Sequence, residues 1–437
     1  MDLSIIIPVA RRENDFKLIK QLKEKFKGCE IIIVSDETNE FIKSAKLQVD
    51  QFHLLKSSSR AKALNKGASL SNCKNLWFLH LDSNIEHIQL MDVMGVDEFS
   101  VSTFLLAFDQ SNCWWIAAGA NFRTKTFGIP FGDQSFLMSK KLFNFAGGFD
   151  ENLSLGEDHE FIWRIKSLNI KLNIINKKII TSAIKYENKK IYQSLKTLWK
   201  TILQAIKFYQ VKKTIILGIF LKDPKSNESK SRLREKLNDQ FVNELNENFI
   251  EITNANLRQL KQKKEIHLIK VCKEVDEEKL NSLSGMYKGK FINQDQGLNL
   301  IMSEVSELSL KTVGKVALLG SDIPSLKVGE LDQALSIRLE RGSYFFSTKD
   351  GGFCFMISND EKIIECLSKV KSSTTSVMQT LTECLYNIEI AKKVFTDVDV
   401  ILDLQKVYEK LKIAETSLSD EQKKLLNFLK VNEKIFT

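Results

Sequence analysis

No two of the chain's seven cysteines stand in CxxC spacing, and their number is odd. Cys29, Cys73, Cys113, Cys272, Cys354, Cys366 and Cys384 are scattered instead. That argues against a disulfide framework and for reduced, mostly buried thiols in a cytosolic protein. The start, MDLSIIIPVARREND, has no basic stretch ahead of its apolar run, so a signal peptide is not expected. No apolar run approaches the roughly 18 residues that would span a bilayer. An arginine-rich arm, a basic stripe interleaved with aromatics and zinc-finger spacing are all missing, which sets nucleic acid aside as a partner. No repeat of about 20–50 residues recurs, which excludes a solenoid or a propeller.

What is present points to two folded domains. A chain of 437 residues exceeds one ordinary core. Its 43% hydrophobic and 27% charged content is that of a globular protein rather than a disordered one. The net charge of +9 is carried by lysines spread over helix faces and loops, and suits anionic small molecules. Between Leu195 and Tyr209, lysines face Ile, Leu and Trp. This stretch is read as packing on the neighbouring domain, with peripheral membrane contact as the alternative.

Proline is scarce, four in all, and two prolines mark the plan. Pro8 follows Ser4-Ile5-Ile6-Ile7, and Pro224 follows the run from Ile215 to Leu221. Each is expected to stop a buried parallel strand by removing a ladder donor. Each half then has an apolar run ending in an acid, Leu76 to Asp82 and Val316 to Asp322. Helical patterns, Phe16 to Phe26 and Leu233 to Phe249, lie between. From Glu361 on the chain reads as mostly helical, interrupted near Thr396 to Leu404. Alternating strands and helices give an α/β sheet, in which ligands sit outside the carboxyl ends of the strands.

The segment from Gly128 to Arg164 concentrates glycine-marked turns and the pair Glu157-Asp158 at the start of an amphipathic helix. A helix N-terminus holds such carboxylates ionised, ready to take a proton from a hydroxyl. Asp82 closes a strand that is otherwise apolar, where a hard oxygen suits Mg2+ or Mn2+ shared with a diphosphate. Its alternative is a surface helix cap. His80 on the same run is not taken as a ligand. Trp114-Trp115 either stack on a sugar or fill core, and core is preferred.

Residues 1 to about 205 resemble a family 2 glycosyltransferase of the GT-A type, in the bacterial subfamily associated with radical-SAM/selenodomain and arsenosugar loci. The likeness rests on SIIIPVARREN, EIIIVSDETNE, SSSRAKALNKGA, WFLHLDSNI, FRTKTFGIPFGDQSF, LFNFAGGFDENLSLGEDHEFIWRIK and the weaker ITSAIKYE. It implies that Asp82 binds the metal, with Mn2+ or Mg2+ as cofactor. Pro8, Asp36, Arg60 and Asn65 would lie on the donor side. Asp158, beside Glu157, would be the general base of an inverting transfer, and Asp133 and Gln134 would shape the acceptor side. Phe99 to Trp115 is expected to supply an acceptor loop. The chain departs from the family at Ser35 to Asn39, which lacks a glycine, and at His80, where many members carry Asp.

Residues from about 214 on resemble a second GT-A-like family, the DUF2064-type glycosyltransferases of the same loci. Here the segments are FLKDPKSNESKSRL, LLGSDIPSL, STKDGGF and TDVDVILDLQKV. Lys230 and Arg232 would grip phosphates, and Asp350, Gly351 and Gly352 would approach a sugar or phosphate. Asp322, Asp397 and Asp399 would form a metal site. Departures are Asn227 or Glu228 for a glycine, Ser231 for a threonine, and Phe346-Ser347-Thr348 for the usual Gly-Pro.

The expectation is therefore an α/β protein of two tandem GT-A (Rossmann-like) domains, 1–205 and 214–437, joined by a linker at 206–213. It would be a cytoplasmic, metal-dependent transferase using a nucleotide sugar and a small-molecule or lipid acceptor. Two alternatives concern the second domain: a nucleotidyltransferase making an activated sugar, or a non-catalytic scaffold.

Overall fold

The computed structural model describes residues 1–11, 13, 16–37, 49–56, 59–153, 156–183, 214–221, 224, 226, 229–272, 289–292, 297–371 and 376–436. The chain divides into two compact units, Met1–Val211 and Lys212–Thr437. The linker expected at 206–213, the Leu195–Tyr209 stretch and the departure at Asn227 or Glu228 lie outside the described residues. Among the described residues, no helix is long and apolar enough to cross a membrane.

The first unit is built on a seven-stranded sheet. Its strands are β1 (Leu3–Val9), β2 (Glu30–Asp36), β3 (Gln51–Leu55), β4 (Asn75–Phe78), β5 (Ser100–Phe108), β6 (Phe136–Ser139) and β7 (Lys171–Thr181). They lie in the order β3-β2-β1-β4-β6-β5-β7. β6 runs against β4 and β5, and the other pairings are parallel. The helices that matter for the site are α1 (Lys17–Lys25), α2 (Arg60–Leu70), α3 (Trp114–Phe127), α4 (Lys140–Ala146) and α5 (Glu157–Ser167). β1 and β2 read as continuous Ile and Val because both of their faces are covered. Their core includes Ile5, Ile7, Ile31, Ile33 and Trp77, all buried.

The second unit repeats the plan with β8 (Ile215–Phe220), β9 (Ile266–Cys272), β10 (Gly289–Ile292), β11 (Val316–Gly320), β12 (Ser343–Ser347), β13 (Phe353–Ser358) and β14 (Ile388–Ile390). The order β10-β9-β8-β11-β13-β12-β14 is the same permutation, and β13, its sixth strand, is again the antiparallel one. Its helices are α6 (Ser231–Arg234), α7 (Asp239–Lys263), α8 (Leu298–Val313), α9 (Val328–Ser336), α10 (Lys362–Lys369), α11 (Val377–Cys384), α12 (Ile401–Ile413), α13 (Asp420–Val431) and α14 (Glu433–Phe436). A helical layer closes over α7, with Phe241, Tyr408 and Phe436 in its core. The α/β class and the two Rossmann-like sheets are as expected.

Several details differ from the sequence reading. Pro8 lies inside β1, paired with Val34, and does not end the strand. Ile6 is the last residue of β1 to bond β4, through the Leu79 N–H. Pro8 has no N–H to carry the ladder on toward Leu79 O, so pairing with β4 ends at Ile6 while β1 runs on beside β2 to Val9. The helix expected from Leu233 to Phe249 is two helices. Asn238 starts the second by accepting the Phe241 N–H at 2.8 Å. Phe99 to Trp115 is mainly β5, a strand inside the sheet rather than a loop. Trp114 is 71% exposed and Trp115 39%, so neither fills core.

Cys366 and Cys384 form a disulfide with Cα atoms 5.7 Å apart, which corrects the expectation that all thiols are reduced. Packing of α10 on α11 brings together two residues whose spacing along the chain gives no hint of pairing. Cys29, Cys113 and Cys354 are buried thiols.

Candidate active sites at the two switch points

In the first unit β1 and β4 are neighbours, with β2 and β3 lying to one side and β6 to the other. Crossovers leave this pair in opposite directions, so a crevice opens outside its carboxyl ends. Glu13 follows β1 into this region, and His80 and Asp82 follow β4. Arg60 opens α2, whose N-cap Ser59 accepts the Lys62 N–H at 3.3 Å. Glu157 and Asp158 open α5 after Gly156, which has φ +86°.

These residues converge. Arg60 pairs through Nε with Oε1 of buried Glu157, and its Nη2 lies 4.0 Å from Asp158 Oδ1. Asp158 Oδ2 accepts the Gly132 N–H at 2.8 Å, and Oδ1 accepts the His159 N–H at 2.9 Å. A Cβ on Gly132 would stand 3.0 Å from His80 Nε2 and 3.1 Å from Asp158 Oδ2. Only glycine lets this backbone approach the carboxylate so closely. The His159 ring stacks on Phe131 with centroids 3.8 Å apart, and the Arg123 guanidinium lies 3.4 Å over the same Phe131 ring.

Burial opposes ionisation of Asp158. His159, Arg60 and the N–H groups of Gly132 and His159 outweigh it and hold the carboxyl below its usual range. Glu13 is raised, chiefly by burial, and it feels the charges of His80, Asp82 and Arg60. Sequence reasoning passed over Glu13. The signal was an acid four residues after the end of β1, in line with Asp82 after β4.

The remaining expected residues make the following contacts. Asp36 ends β2, opposite Leu55 of β3. Asn65 spends its amide on a turn: Nδ2 donates to Phe149 O at 2.8 Å, and Oδ1 accepts the Phe149 N–H at 2.9 Å. Arg164 clamps the same turn through Ala146 O and Gly148 O at 2.6 and 2.7 Å. Gln134 is fully buried, bonded to Phe104 O at 3.0 Å and Thr124 Oγ1 at 2.9 Å, and so supports the Gly132 loop from behind. Asp133 is close enough to Arg60 to raise the guanidinium's pKa. Asp82 Oδ2 accepts from Thr181 Oγ1 at 2.9 Å.

Gly148 in the clamped turn has φ +60°, and a Cβ there would sit 2.8 Å from Asn65 Oδ1. Gly148→Ala is expected to lower stability by more than about 2 kcal/mol, left-handed strain alone accounting for about 1–2. A thermal melt unchanged within a degree would show that the turn does not constrain the fold.

The second unit has the same switch point between β8 and β11, and the chemistry there is more compact. Lys230 is 6% exposed, and its Nζ lies 2.8 Å from Asp322 Oδ2 and 3.1 Å from Oδ1 of both Asp397 and Asp399. Its φ is +53°, uncommon for a side chain of this size. Arg234 fixes the approach, donating to Ser229 O and Pro224 O at 2.8 and 2.6 Å and to Asn243 Oδ1 of α7 at 2.7 Å. Arg232 stands 3.7 Å from Asp399. Burial opposes the charge on Lys230, but the three carboxylates raise its pKa well above the usual lysine range. Asp397 is raised by burial and then by Asp322. The Cys354 thiol is pushed up by burial and by the same two acids. Asp350, Gly351 and Gly352 form the turn between β12 and β13. Next to them, the Lys349 N–H donates to Phe395 O at 3.1 Å, two residues before Asp397.

A hard divalent cation fits the second unit. Asp322, Asp397 and Asp399 can each present one oxygen within 4.8 Å of the others, the donor set that Mg2+ and Mn2+ take. In the first unit Asp82 belongs to no such group of three among the described residues. The fixed positive charge beside the acids there is Arg60.

No family model matches the chain, and no curated protein matches it significantly. Solved structures similar to it include a protein assigned as a nucleotide-diphospho-sugar transferase, from Desulfovibrio desulfuricans. The match has 19% identity and a TM-score of 0.44, and covers 51% of this chain and 96% of that one. A mannosyltransferase from Pyrobaculum calidifontis, solved with GDP-Man and Mn2+, matches at 12% identity and a TM-score of 0.36. It covers 47% of this chain and 64% of that one.

Proposed function

We propose that the chain is a glycosyltransferase with two GT-A units, the first moving a sugar from a nucleotide diphosphate to an acceptor hydroxyl with inversion. The observation that carries this reading is the group Arg60, Glu157 and Asp158, an ionised carboxylate fixed beside a guanidinium at the strand ends. As the acceptor oxygen bonds to the anomeric carbon, its proton passes to Asp158. The bond from that carbon to the diphosphate breaks, and the electron pair leaves with the diphosphate. Arg60 offsets the growing negative charge, and buried Glu157 keeps the guanidinium in place. The motifs of residues 1–205 favour the arsenosugar-associated subfamily of family 2.

For the second unit the DUF2064-type reading makes Asp322, Asp397 and Asp399 the holders of Mn2+ or Mg2+. The cation would neutralise a bound diphosphate. Lys230 among these acids also supports a second reading, nucleotidyl transfer from a nucleoside triphosphate to a sugar phosphate.

The test is release of nucleoside diphosphate from a panel of nucleotide sugars with Mn2+ or Mg2+. Turnover of one donor that Asp158→Asn abolishes is the expected result. Turnover unaffected by Asp158→Asn removes Asp158 from the role of base or moves the chemistry to the second unit. Pyrophosphate release from a triphosphate and a sugar phosphate, lost in Asp322→Asn, would establish the second reading.

A further inference from the structure

Beside the acid cluster of the second unit lies a cavity of about 420 Å³ that none of the roles above uses. Its size is that of a small-ligand pocket. One side is a face of α9 carrying Glu330, Gln333 and Ala334, with Ile337 just beyond its end, and the floor is Tyr344 and Phe346 of β12 with Phe395. The rings of Phe346 and Phe395 stack with centroids 5.1 Å apart, and Tyr344 meets Phe346 edge-on at 5.7 Å. β12 runs parallel to β11, since both are antiparallel to β13. The carboxyl ends of β11 and β12 therefore lie at the same edge of the sheet, and Phe346 and Phe395 of the floor stand near that end. The segment from Ala391 to Phe395 is bonded along β12, by Ala391 N–H to Phe345 O and Phe395 N–H to Ser347 O, both at 2.9 Å. Two residues later that segment delivers Asp397 to the acid cluster.

The rim is cationic. Lys392 and Lys393 line it, and the Lys393 ammonium lies 4.5 Å over the Phe395 ring. Lys410 Nζ reaches Thr396 Oγ1 at 3.4 Å, and Lys349 is tied to Phe395 through its backbone. Outside the lining, Lys410 is lowered by partial burial and then by the charges of Lys349, Lys393 and Lys406, so positive charge accumulates on this side of the unit. Glu330 pairs with Lys393 and Asp403 with Lys406. Crowded cations over an aromatic floor attract an anion that carries a ring or an apolar face.

We infer that this cavity is the second-substrate subsite of the second unit, taking a small molecule with an anionic group, phosphate or carboxylate, attached to a ring or apolar body. The inference rests on the reading of the acid cluster as the cation and diphosphate site, since it seats this molecule next to that cluster.

Calorimetric titration of the full chain with phenyl phosphate, inorganic phosphate and benzyl alcohol tests it. Phenyl phosphate is expected to bind at least tenfold tighter than either part alone. Lys392→Ala/Lys393→Ala should weaken it at least tenfold, and Gln333→Trp, at an exposed lining position, should block it. Mn2+ titration of the same variants should match wild type, which checks both fold and acid cluster. Conversely, Asp397→Asn should lose Mn2+ and keep phenyl phosphate. If Asp397→Asn leaves Mn2+ binding intact, the cation reading fails, while the phenyl phosphate result still decides whether the cavity binds. Phenyl phosphate held no better than inorganic phosphate, or unaffected by Gln333→Trp, would overturn the inference and leave a diffuse basic patch.

Discussion

Asp158→Asn is expected to lower turnover of the nucleotide sugar by about 10²–10⁴-fold, with little change in KM for the donor. The variant keeps the size of the residue and one of its two backbone hydrogen bonds but removes the charge that accepts a proton. Gly132 and His159 donate to Asp158 at 2.8 and 2.9 Å, and asparagine can still accept through its one oxygen. A carboxyl held below its usual range is ionised throughout the neutral region. It becomes an effective acceptor only as the attacking hydroxyl grows acidic on bonding to the sugar. The acid limb of the rate profile should therefore fall below the ordinary aspartate value, about 3.9. The sign for stability is the same. The folded value is depressed, so Asp158 stabilises the fold above about pH 4 and that contribution is lost as pH falls through the lowered value. Turnover within tenfold of wild type would remove Asp158 from the role of base. A KM rise matching the loss would make it a donor-binding group instead.

The architecture was largely legible because β1, β2, β8 and β11 are buried on both faces and read as unbroken apolar runs. The acid at the end of such a run is equally visible, which is how Asp82 and Asp322 stood out. The site was less legible wherever a polar side chain serves the backbone. Asn65 and Gln134 sit in motif segments and resemble ligand contacts, yet their amides hold the Phe149 turn and the Phe104 strand. β14, three residues at the sheet edge, is too short for a period-2 pattern to register. The Cys366–Cys384 pair and the lysine rim of the cavity are invisible for another reason. Residues such as Glu330 and Lys393 meet only through tertiary packing, and no local spacing encodes that.

Lys230→Met should produce the largest change in stability and make that stability depend on an added divalent cation. The ammonium is the common partner of three carboxylates, at 2.8, 3.1 and 3.1 Å. Its removal leaves Asp322, Asp397 and Asp399 facing one another. Breaking a buried ion pair costs about 3–5 kcal/mol. These acids are 23–38% exposed, and water screening reduces the figure to about 2–3 kcal/mol. For a unit of this size that is a fall in Tm of about 4–12 °C. Because the lysine's folded pKa is raised above its unfolded value of about 10.4, its contribution is fully present at every pH below that value. The loss in the variant should nonetheless shrink as pH falls, because Asp397, already raised by burial and by Asp322, takes up a proton and eases the repulsion among the acids. Mn2+ or Mg2+ accepts the same oxygens, so either cation should restore the variant, by about 2.7 kcal/mol at 100 times its Kd. Wild type should gain less, since there the cation competes with Lys230 for the carboxylates. A variant that melts as wild type does would mean the acids are neutral or solvated without the lysine. A destabilised variant that no divalent cation rescues would reduce Asp322, Asp397 and Asp399 to a counter-charge for Lys230.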